Sequence, residues 1–130
     1  MTTHKLLQAA LIFFGATCCL LYPLAIVWPS GWAWHDGPPA ASDYFMMIVG
    51  LYITLGIFMI RAAADPAANR SLILFAIWSS LIHAGIMAIQ SLTQPMHRGH
   101  LPGDVAALLF GAVLLAWLLH ADRATGAAAA

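Results

Sequence analysis

The sequence carries very little charge. It contains no glutamate, and its lysine, arginine and aspartate residues together make up 8% of the chain. The five cationic residues are dispersed along it: Lys5, Arg61, Arg70, Arg98 and Arg123. A nucleic-acid-binding surface needs clustered cations, so nucleic acid is excluded as a partner. Because 62% of the residues are hydrophobic, against roughly 45–50% in soluble domains, we predict that the solvent around the protein is membrane lipid.

Cysteine is also scarce. Cys18 and Cys19 are the only two, and they are adjacent within an apolar run, where cysteine usually packs as a small hydrophobic residue. This excludes a disulfide framework. The sequence also lacks a catalytic serine or cysteine constellation, a phosphate-binding glycine loop and paired carboxylates. We therefore expect no catalytic residues and no enzymatic activity.

Apolar segments dominate what remains. A membrane-spanning α-helix needs about 20 mostly apolar residues. The segments that meet or approach this length cover residues of about 6–28, 44–61, 66–92 and 101–121. We predict an all-α integral membrane four-helix bundle formed by a single domain, residues 1–125, with residues 126–130 as a frayed tail.

The first apolar segment is predicted to be a kinked span. Its apolar run is longer than the roughly 7–15 residues of a signal peptide, so we do not expect it to be cleaved. Pro23 lies inside it and has no backbone N–H to continue the helical ladder. A kink is therefore expected there, and neighbouring helices can satisfy the carbonyl that it frees.

The cationic residues also predict an orientation, because lysine and arginine are retained on the cytoplasmic side of a membrane. With four spans, Arg98 falls on one side and the other four cationic residues fall on the opposite side. Both termini are therefore predicted to be cytoplasmic. The loop with His35 and the loop with His97 and His100 are predicted to face outward.

Two helix starts are predicted from capping residues. Asp65 as N-cap and Pro66 as first helical residue would begin the third helix. Leu101 as N-cap and Pro102 as first helical residue would begin the fourth. Asp104 would then lie in the first turn, where a carboxylate caps backbone N–H groups and complements the helix dipole.

The third helix sorts into two faces at about 100° per residue. Its large apolar residues are predicted to face lipid: Leu74, Phe75, Trp78, Ile82, Ile86 and Ile89. Small residues recur every fourth position on the other side: Ala76, Ser80, Ala84 and Ala88. Such a stripe allows another helix to approach closely in a membrane, and we predict that it serves helix packing.

His83 is the one histidine in the middle of a predicted span. A polar group left unpaired in hydrocarbon costs several kcal/mol, so the imidazole is expected to point inward. The candidate partners are Tyr44, Thr54, Ser79 and Gln90. One interpretation is an interhelical hydrogen bond that fixes packing. The other is a functional role as a metal or haem ligand, a proton carrier, or a group that holds a quinone-like headgroup.

The predicted outer ends of the helices hold further polar side chains, namely Gln90, His97, His100, Asp104, His35 and Asp36. Two histidines and a carboxylate are sufficient to bind Zn, Cu or Fe. The spacing matches no specific metal signature, and His97 and Arg98 are expected to be solvated loop residues. The nearby Trp28, Trp32 and Trp34 are typical of an interfacial aromatic belt, with ligand stacking as the alternative.

Several motifs resemble those of a known family. They are Trp28-Pro-Ser-Gly-Trp-Ala-Trp34, Met47-Ile-Val-Gly-Leu-Tyr52, Arg61-Ala-Ala-Ala-Asp-Pro66, Trp78-Ser-Ser-Leu-Ile-His83 and Gly99-His-Leu-Pro-Gly-Asp104. Together they resemble a family of short bacterial four-helix membrane proteins catalogued as a domain of unknown function. The resemblance implies a multi-pass protein of the bacterial inner membrane, and it draws attention to His83, His100 and Asp104. The family has no assigned activity, so none is carried over.

Three functional hypotheses follow. The first is a non-enzymatic interaction or accessory subunit that self-associates or joins a larger membrane complex, motivated by the small-residue stripe. The second is a redox, metal-binding or cofactor-binding protein that uses His83 within the bundle and His100 with Asp104 at its outer end. The third is a small oligomeric transporter. It is the least supported, because four short spans are expected to leave little room for a cavity within one chain.

Overall fold

The computed structural model describes residues 2–128, with side chains as far as residue 124. The described residues form helices and turns and no β-strand, which confirms the all-α prediction. The main helices are α1 (Thr3–Cys19), α2 (Leu21–Val27), α3 (Pro29–Trp32), α4 (Asp43–Ala62), α5 (Arg70–Thr93) and α6 (Ala106–Ala128). Two 3₁₀ segments (Pro39–Ala41 and Pro95–His100) and a π-helical turn (Leu101–Val105) lie between them.

Three helical stretches are long and apolar enough to cross a membrane: α4, α5 and the stretch Pro95–Ala124 that ends in α6. Helices α1 and α2 add a fourth if the pair counts as one bent span. Large apolar side chains on these helices face outward, including Phe75, Trp78 and Trp117, as expected where lipid is the solvent. The helices are those of a multi-pass membrane protein.

The kink predicted in the first span is confirmed. The axes of α1 and α2 differ by 61°, and the break lies at Leu20, three residues before Pro23. A proline removes the hydrogen bond to the carbonyl four residues earlier, and its ring clashes with that carbonyl. For Pro23 this carbonyl belongs to Cys19, where α1 ends.

The start of α4 follows from its sequence, whereas that of α5 differs from the prediction. The Ser42 hydroxyl caps α4 by accepting a hydrogen bond from the Phe45 amide at 3.1 Å. Asp65 accepts from the Ala68 amide at 3.0 Å, but this closes an isolated turn, and α5 begins only at Arg70. The predicted helix start at Pro66 is therefore wrong: a local capping motif formed one turn without propagating.

The chain packs in the order α4, α1, α6, α5, and the contact between α4 and α5 is the least extensive between neighbours. A core of aliphatic residues joins these helices, among them Leu7, Leu11, Ile73 and Leu115. Polar contacts join helix ends on the same side of the molecule. His4 Nδ1 lies 3.3 Å from an Asp122 carboxylate oxygen, and the Gln8 amide donates to the Ala63 carbonyl at 2.8 Å.

Glycines bring α1 and α4 into backbone contact. A Cβ atom on Gly15 would lie 2.7 Å from the Gly56 carbonyl oxygen, and one on Gly56 would overlap the Gly15 carbonyl. Lipid supplies no hydrophobic driving force for helix association, so membrane helices are held together by van der Waals packing, which a close approach of this kind increases. This pair fixes the separation of α1 and α4.

Helix α5 presents the two predicted faces. Five of the six residues assigned to lipid are exposed, whereas Leu74 is partly buried against the core. In the small-residue stripe, Ala76 and Ala84 are buried within the chain, and Ser80 and Ala88 are partly buried. Ala76 and Ala84 therefore lie inside the chain and are not available to a second copy. Self-association stays a prediction, and the stripe does not support it.

Candidate functional site

The short helix α3 is pressed against the segment that precedes α6. A Cβ atom on Gly103 would overlap the Gly31 carbonyl, and one on Gly99 would lie 2.5 Å from the Ser30 carbonyl oxygen. Both positions therefore require glycine, because only its missing side chain allows two backbones to approach so closely. This contact joins two of the motifs singled out in the sequence and brings Trp34 over His100 and Asp104.

Trp34, His100 and Asp104 form a buried polar cluster. The Trp34 indole N–H donates to Asp104 Oδ2 at 2.8 Å, and His100 Nδ1 lies 3.2 Å from both carboxylate oxygens. The Trp34 and His100 rings stack with centroids 3.9 Å apart. His100 is 2% exposed and Asp104 is 6% exposed. A buried carboxylate needs hydrogen-bond donors, and the side chains of Trp34 and His100 supply two of them to Asp104.

The structure corrects the predicted start of the last helix. Gly103 has non-helical backbone angles (φ −89°, ψ −117°), and regular α6 begins at Ala106. The prediction that Leu101 is the N-cap of a regular helix is therefore wrong. The Asp104 carboxylate does accept a hydrogen bond from a backbone amide, that of Val105, and it also binds the side chains of Trp34 and His100.

Two further expectations for this region change. Trp34 was assigned to an interfacial belt with Trp28 and Trp32, but it is held by Asp104. His97 was expected to be solvated, yet it is partly buried, with its ring centroid 4.8 Å from that of Trp34. The hydrogen bond gives the Trp34 indole a specific partner inside the protein, which the belt interpretation did not include.

A large cavity of about 960 Å³ lies between the helices. Its polar end is lined by Trp32, Trp34, His35, Gln90 and Asp104, and its apolar end by Phe14, Leu55, Met59, Ala76 and Leu115. The volume is at the upper end of the roughly 300–1,000 Å³ typical of small-molecule sites. The expectation that four short spans leave little room for a cavity within one chain is wrong.

The cavity wall reaches the outer surface in two places. Between α4 and α5 it includes the exposed residues Tyr44, Ile82 and Ile86, and between α1 and α6 it includes the exposed Phe13 and Phe110. Of the neighbouring helix pairs, α4 and α5 make the least contact, and Ile82 and Ile86 belong to the face of α5 that the sequence assigns to lipid.

His83 lies in the cavity wall, halfway along α5, and its partner is Tyr52. The Tyr52 hydroxyl and His83 Nδ1 are 2.9 Å apart. The sequence-based list of partners for His83 was wrong, because it did not include Tyr52. A signal was available: Tyr52 continues the buried face of α4, set by Val49 and Gly56, at spacings of three and four residues.

Three other candidate residues, Gln90, Tyr44 and His35, line the same cavity. Gln90 lies at the polar end on α5. Tyr44 is 75% exposed at the opening between α4 and α5. His35 stacks on Phe45 with ring centroids 5.5 Å apart, and its Nε2 lies 3.1 Å from the Pro38 carbonyl oxygen. The structure thus collects His83, Gln90, Tyr44, His35 and Asp104 around one space.

The described residues include no group of three or more histidine, cysteine, aspartate or glutamate side chains placed to hold a metal ion. His100 and Asp104 are bonded to each other, whereas His83 is bonded to Tyr52. The residues of the second hypothesis thus form two separate pairs. The candidate site is therefore an apolar cavity with hydrogen-bonding side chains in its wall.

These features define a class: a multi-pass helical membrane protein with an elongated internal cavity and hydrogen-bonding groups in its wall. The chain belongs to a family of unknown function, DUF6632, whose model covers residues 1–129, which confirms the resemblance seen in the sequence. Neither the curated proteins nor the solved structures yield a match.

Proposed function

We propose that this protein is a non-enzymatic binding protein for a lipophilic small molecule, which it holds in the cavity between its helices. The observation that carries the proposal is the cavity itself, mostly apolar in lining, with the Tyr52–His83 pair in its wall and the buried polar cluster at one end. Apolar pockets with a few convergent polar groups are the usual form of a small-molecule site.

The dimensions of the cavity support a long ligand. Its lining on α4 runs from Tyr44 to Met59, which at about 1.5 Å per residue is about 22 Å along the helix. This exceeds half of the roughly 30 Å hydrocarbon thickness of a bilayer. A molecule with a chain as long as one lipid leaflet therefore fits, and it can enter from the membrane between α4 and α5.

The analysis of bound molecules tests this function. The full chain is purified with its surrounding membrane in polymer nanodiscs, and its organic extract is compared by mass spectrometry with the bulk membrane. We expect one class of lipophilic molecule to be enriched. Ser80→Phe, which adds a large side chain to the cavity wall, should abolish the enrichment, because Ser80 lines the cavity.

Ile89→Phe is the matched control, because Ile89 is 64% exposed on the opposite face of α5 and does not line the cavity. It should retain the enriched molecule. An extract of the wild-type protein with the composition of the bulk membrane would refute the function, and so would equal enrichment in Ser80→Phe.

We also propose the membrane arrangement: four spans, both termini in the cytoplasm, in the bacterial inner membrane. Two contacts support it, because they join the start of α1 to the ends of α4 and α6 at one side of the molecule. Lys5, Arg61 and Arg123 lie on those three helix ends. Cationic residues at one end of a bundle favour that end in the cytoplasm. A C-terminal fluorescent-protein fusion should be active, and a C-terminal alkaline phosphatase fusion inactive; the reverse would exclude this orientation.

A further inference from the structure

The imidazole of His83 has one nitrogen that is bonded within the chain and one that is not. Nδ1 lies 2.9 Å from the Tyr52 hydroxyl, whereas Nε2 has no partner among the described residues. His83 is partly buried, but Nε2 is not among the unpaired atoms that the protein covers completely, which belong to Trp32, His35, Arg70 and Ser91. Because His83 lines the cavity, its Nε2 is accessible to a ligand there or in the opening between α4 and α5.

The neutral His83 ring is best satisfied with its hydrogen on Nε2. If Nδ1 donated to the Tyr52 oxygen, the Tyr52 hydrogen and the lone pair of Nε2 would both lack partners among the described residues. If the Tyr52 hydroxyl donates to Nδ1, only the Nε2 hydrogen lacks a partner. Unpaired polar groups are costly in an apolar environment, so the second arrangement is favoured. His83 Nε2 is therefore a hydrogen-bond donor without an acceptor.

The hydroxyl of Ser80 is a second donor beside His83. Ser80 also lines the cavity, and its hydroxyl has no hydrogen-bond partner in the described part of the chain. It precedes His83 by three residues, and side chains at this spacing are neighbours on one face of a helix. This part of the wall therefore suits an acceptor oxygen. A carbonyl oxygen only accepts, so it brings no hydrogen of its own that would need a partner in the apolar cavity.

The position and surroundings of His83 favour an uncharged ligand. His83 lies 13 residues after Arg70 and 10 before Thr93, the two ends of α5, which at about 1.5 Å per residue is about 20 Å and 15 Å. An ionised group at such a depth in a membrane is costly. The described residues that line the cavity include no lysine or arginine to balance an anion, and their one carboxylate, that of Asp104, is already bonded within the chain.

We propose that the cavity binds an uncharged lipophilic molecule through a carbonyl oxygen, which accepts a hydrogen bond from His83 Nε2 beside Ser80. The hydrocarbon part of the ligand lies towards the apolar end of the cavity. This inference rests on the proposed function and adds the class of ligand. Prenylated quinones and long-chain esters such as diacylglycerols share this carbonyl chemistry, and the experiment separates them.

Photolabelling of the full chain in nanodiscs tests the inference. The nanodiscs consist of an ether-linked phosphatidylcholine, which has no carbonyl groups that compete. Two diazirine probes carry carbonyls, a prenylated benzoquinone and a diacylglycerol. Each has a match of the same chain length without carbonyls, a prenylated benzene and a dialkylglycerol. We expect saturable labelling by at least one carbonyl probe, with an apparent Kd about threefold to tenfold below that of its match, the effect of one hydrogen bond. The carbonyl probe with the lower Kd identifies the source of the ligand.

Substitution of His83 shows whether its ring supplies the donor. His83→Phe keeps a flat ring and removes Nε2. It should raise the apparent Kd of the better carbonyl probe by about threefold to tenfold and leave the Kd of the carbonyl-free match unchanged. His120→Phe is the control, because His120 is exposed and does not line the cavity. Its Kd for both probes should equal that of the wild type.

The hydrogen on His83 is measured separately. Nitrogen NMR of protein with isotope-labelled histidine distinguishes a protonated ring nitrogen from an unprotonated one, and the signals lost in His83→Phe belong to His83. We expect the hydrogen on Nε2, and we expect this signal to shift when the better carbonyl probe is added. A hydrogen on Nδ1 would overturn the inference.

Equal binding of each carbonyl probe and its match would also overturn the inference, and this comparison needs only the wild-type protein. An unchanged Kd for the carbonyl probe in His83→Phe would have the same consequence. The two proposals fail separately. If purified protein carries an enriched lipophilic molecule but neither carbonyl probe binds better than its match, the ligand class is wrong and the binding function stands. If nothing is enriched and nothing binds, both are wrong.

Discussion

Replacing Trp34 with phenylalanine removes the indole N–H that donates to Asp104 at 2.8 Å and keeps an aromatic ring over His100. Hydrogen bonds to charged groups contribute about 1.5–3 kcal/mol, whereas side-chain hydrogen bonds in membrane proteins average about 0.6 and reach about 1.7 kcal/mol. Asp104 is buried but keeps His100 as a second donor. We therefore expect Trp34→Phe to lower the free energy of unfolding by about 1–2 kcal/mol.

The assay is reversible unfolding in mixed micelles, with helix content followed by circular dichroism as the denaturing detergent fraction rises. Trp78→Phe makes the same chemical change on α5, where Trp78 is 62% exposed and has no hydrogen bond among the described residues. It should change the free energy of unfolding by less than about 0.5 kcal/mol, as surface substitutions usually do. Equal effects of the two substitutions would refute the argument.

A double-mutant cycle makes the test specific to the Trp34–Asp104 bond. Asp104→Asn keeps an acceptor oxygen but removes the charge that strengthens the bond. In that background Trp34→Phe should cost less than in the wild type, with a difference of about 0.5–1.5 kcal/mol. If Trp34→Phe costs the same in both backgrounds, the ring packing of Trp34, rather than its N–H, is what stabilises the cluster.

Two further predictions concern the helix contacts that frame the cavity. Gly56→Ala should destabilise the protein by about 1–3 kcal/mol in the same assay, the usual cost of overpacking, because the added Cβ meets a backbone carbonyl of α1. Gly50→Ala is the control and should not destabilise the protein, because Gly50 has open space around it. Equal effects of the two substitutions would contradict the prediction. Tyr52→Phe should lower the free energy of unfolding by about 0.6–1.7 kcal/mol, because it removes the hydrogen bond to His83. In a His83→Leu background the same substitution should have no effect. A loss of stability that persists in that background would assign the effect to packing of the Tyr52 ring.

The helical faces could be predicted from the sequence because they depend on local spacing. Large apolar residues of α5, such as Phe75 and Ile89, recur on one side of the helix, and that side is exposed in the structure. The kink near Pro23 was predictable for the same reason, since a missing N–H acts within one turn. The start of α5 could not be predicted in this way. The capping motif at Asp65 predicts only one local turn, and whether the helix continues from that turn depends on the rest of the loop.

The candidate site could be predicted only in part. His83, His100 and Asp104 stand out in any apolar sequence, because polar groups are expensive in lipid. Their partners do not: Trp34 and Asp104 are 70 residues apart in sequence, and Tyr52 and His83 are 31 apart. Such pairs depend on how helices are arranged, which periodicity within one helix does not specify. Tryptophan and tyrosine also have an ordinary role at membrane surfaces that conceals a specific one.

The energetics of the cavity explain why occupancy is the central question about this protein. The lining of the cavity is mostly apolar and its wall reaches the outer surface in two places, so water is a poor occupant and lipid has access to it. Hydrocarbon from the membrane can fill the apolar end at little cost, whatever its source. Hydrocarbon makes no hydrogen bonds, so selectivity for one ligand has to arise from the polar side chains that line the cavity, among them the Tyr52–His83 pair.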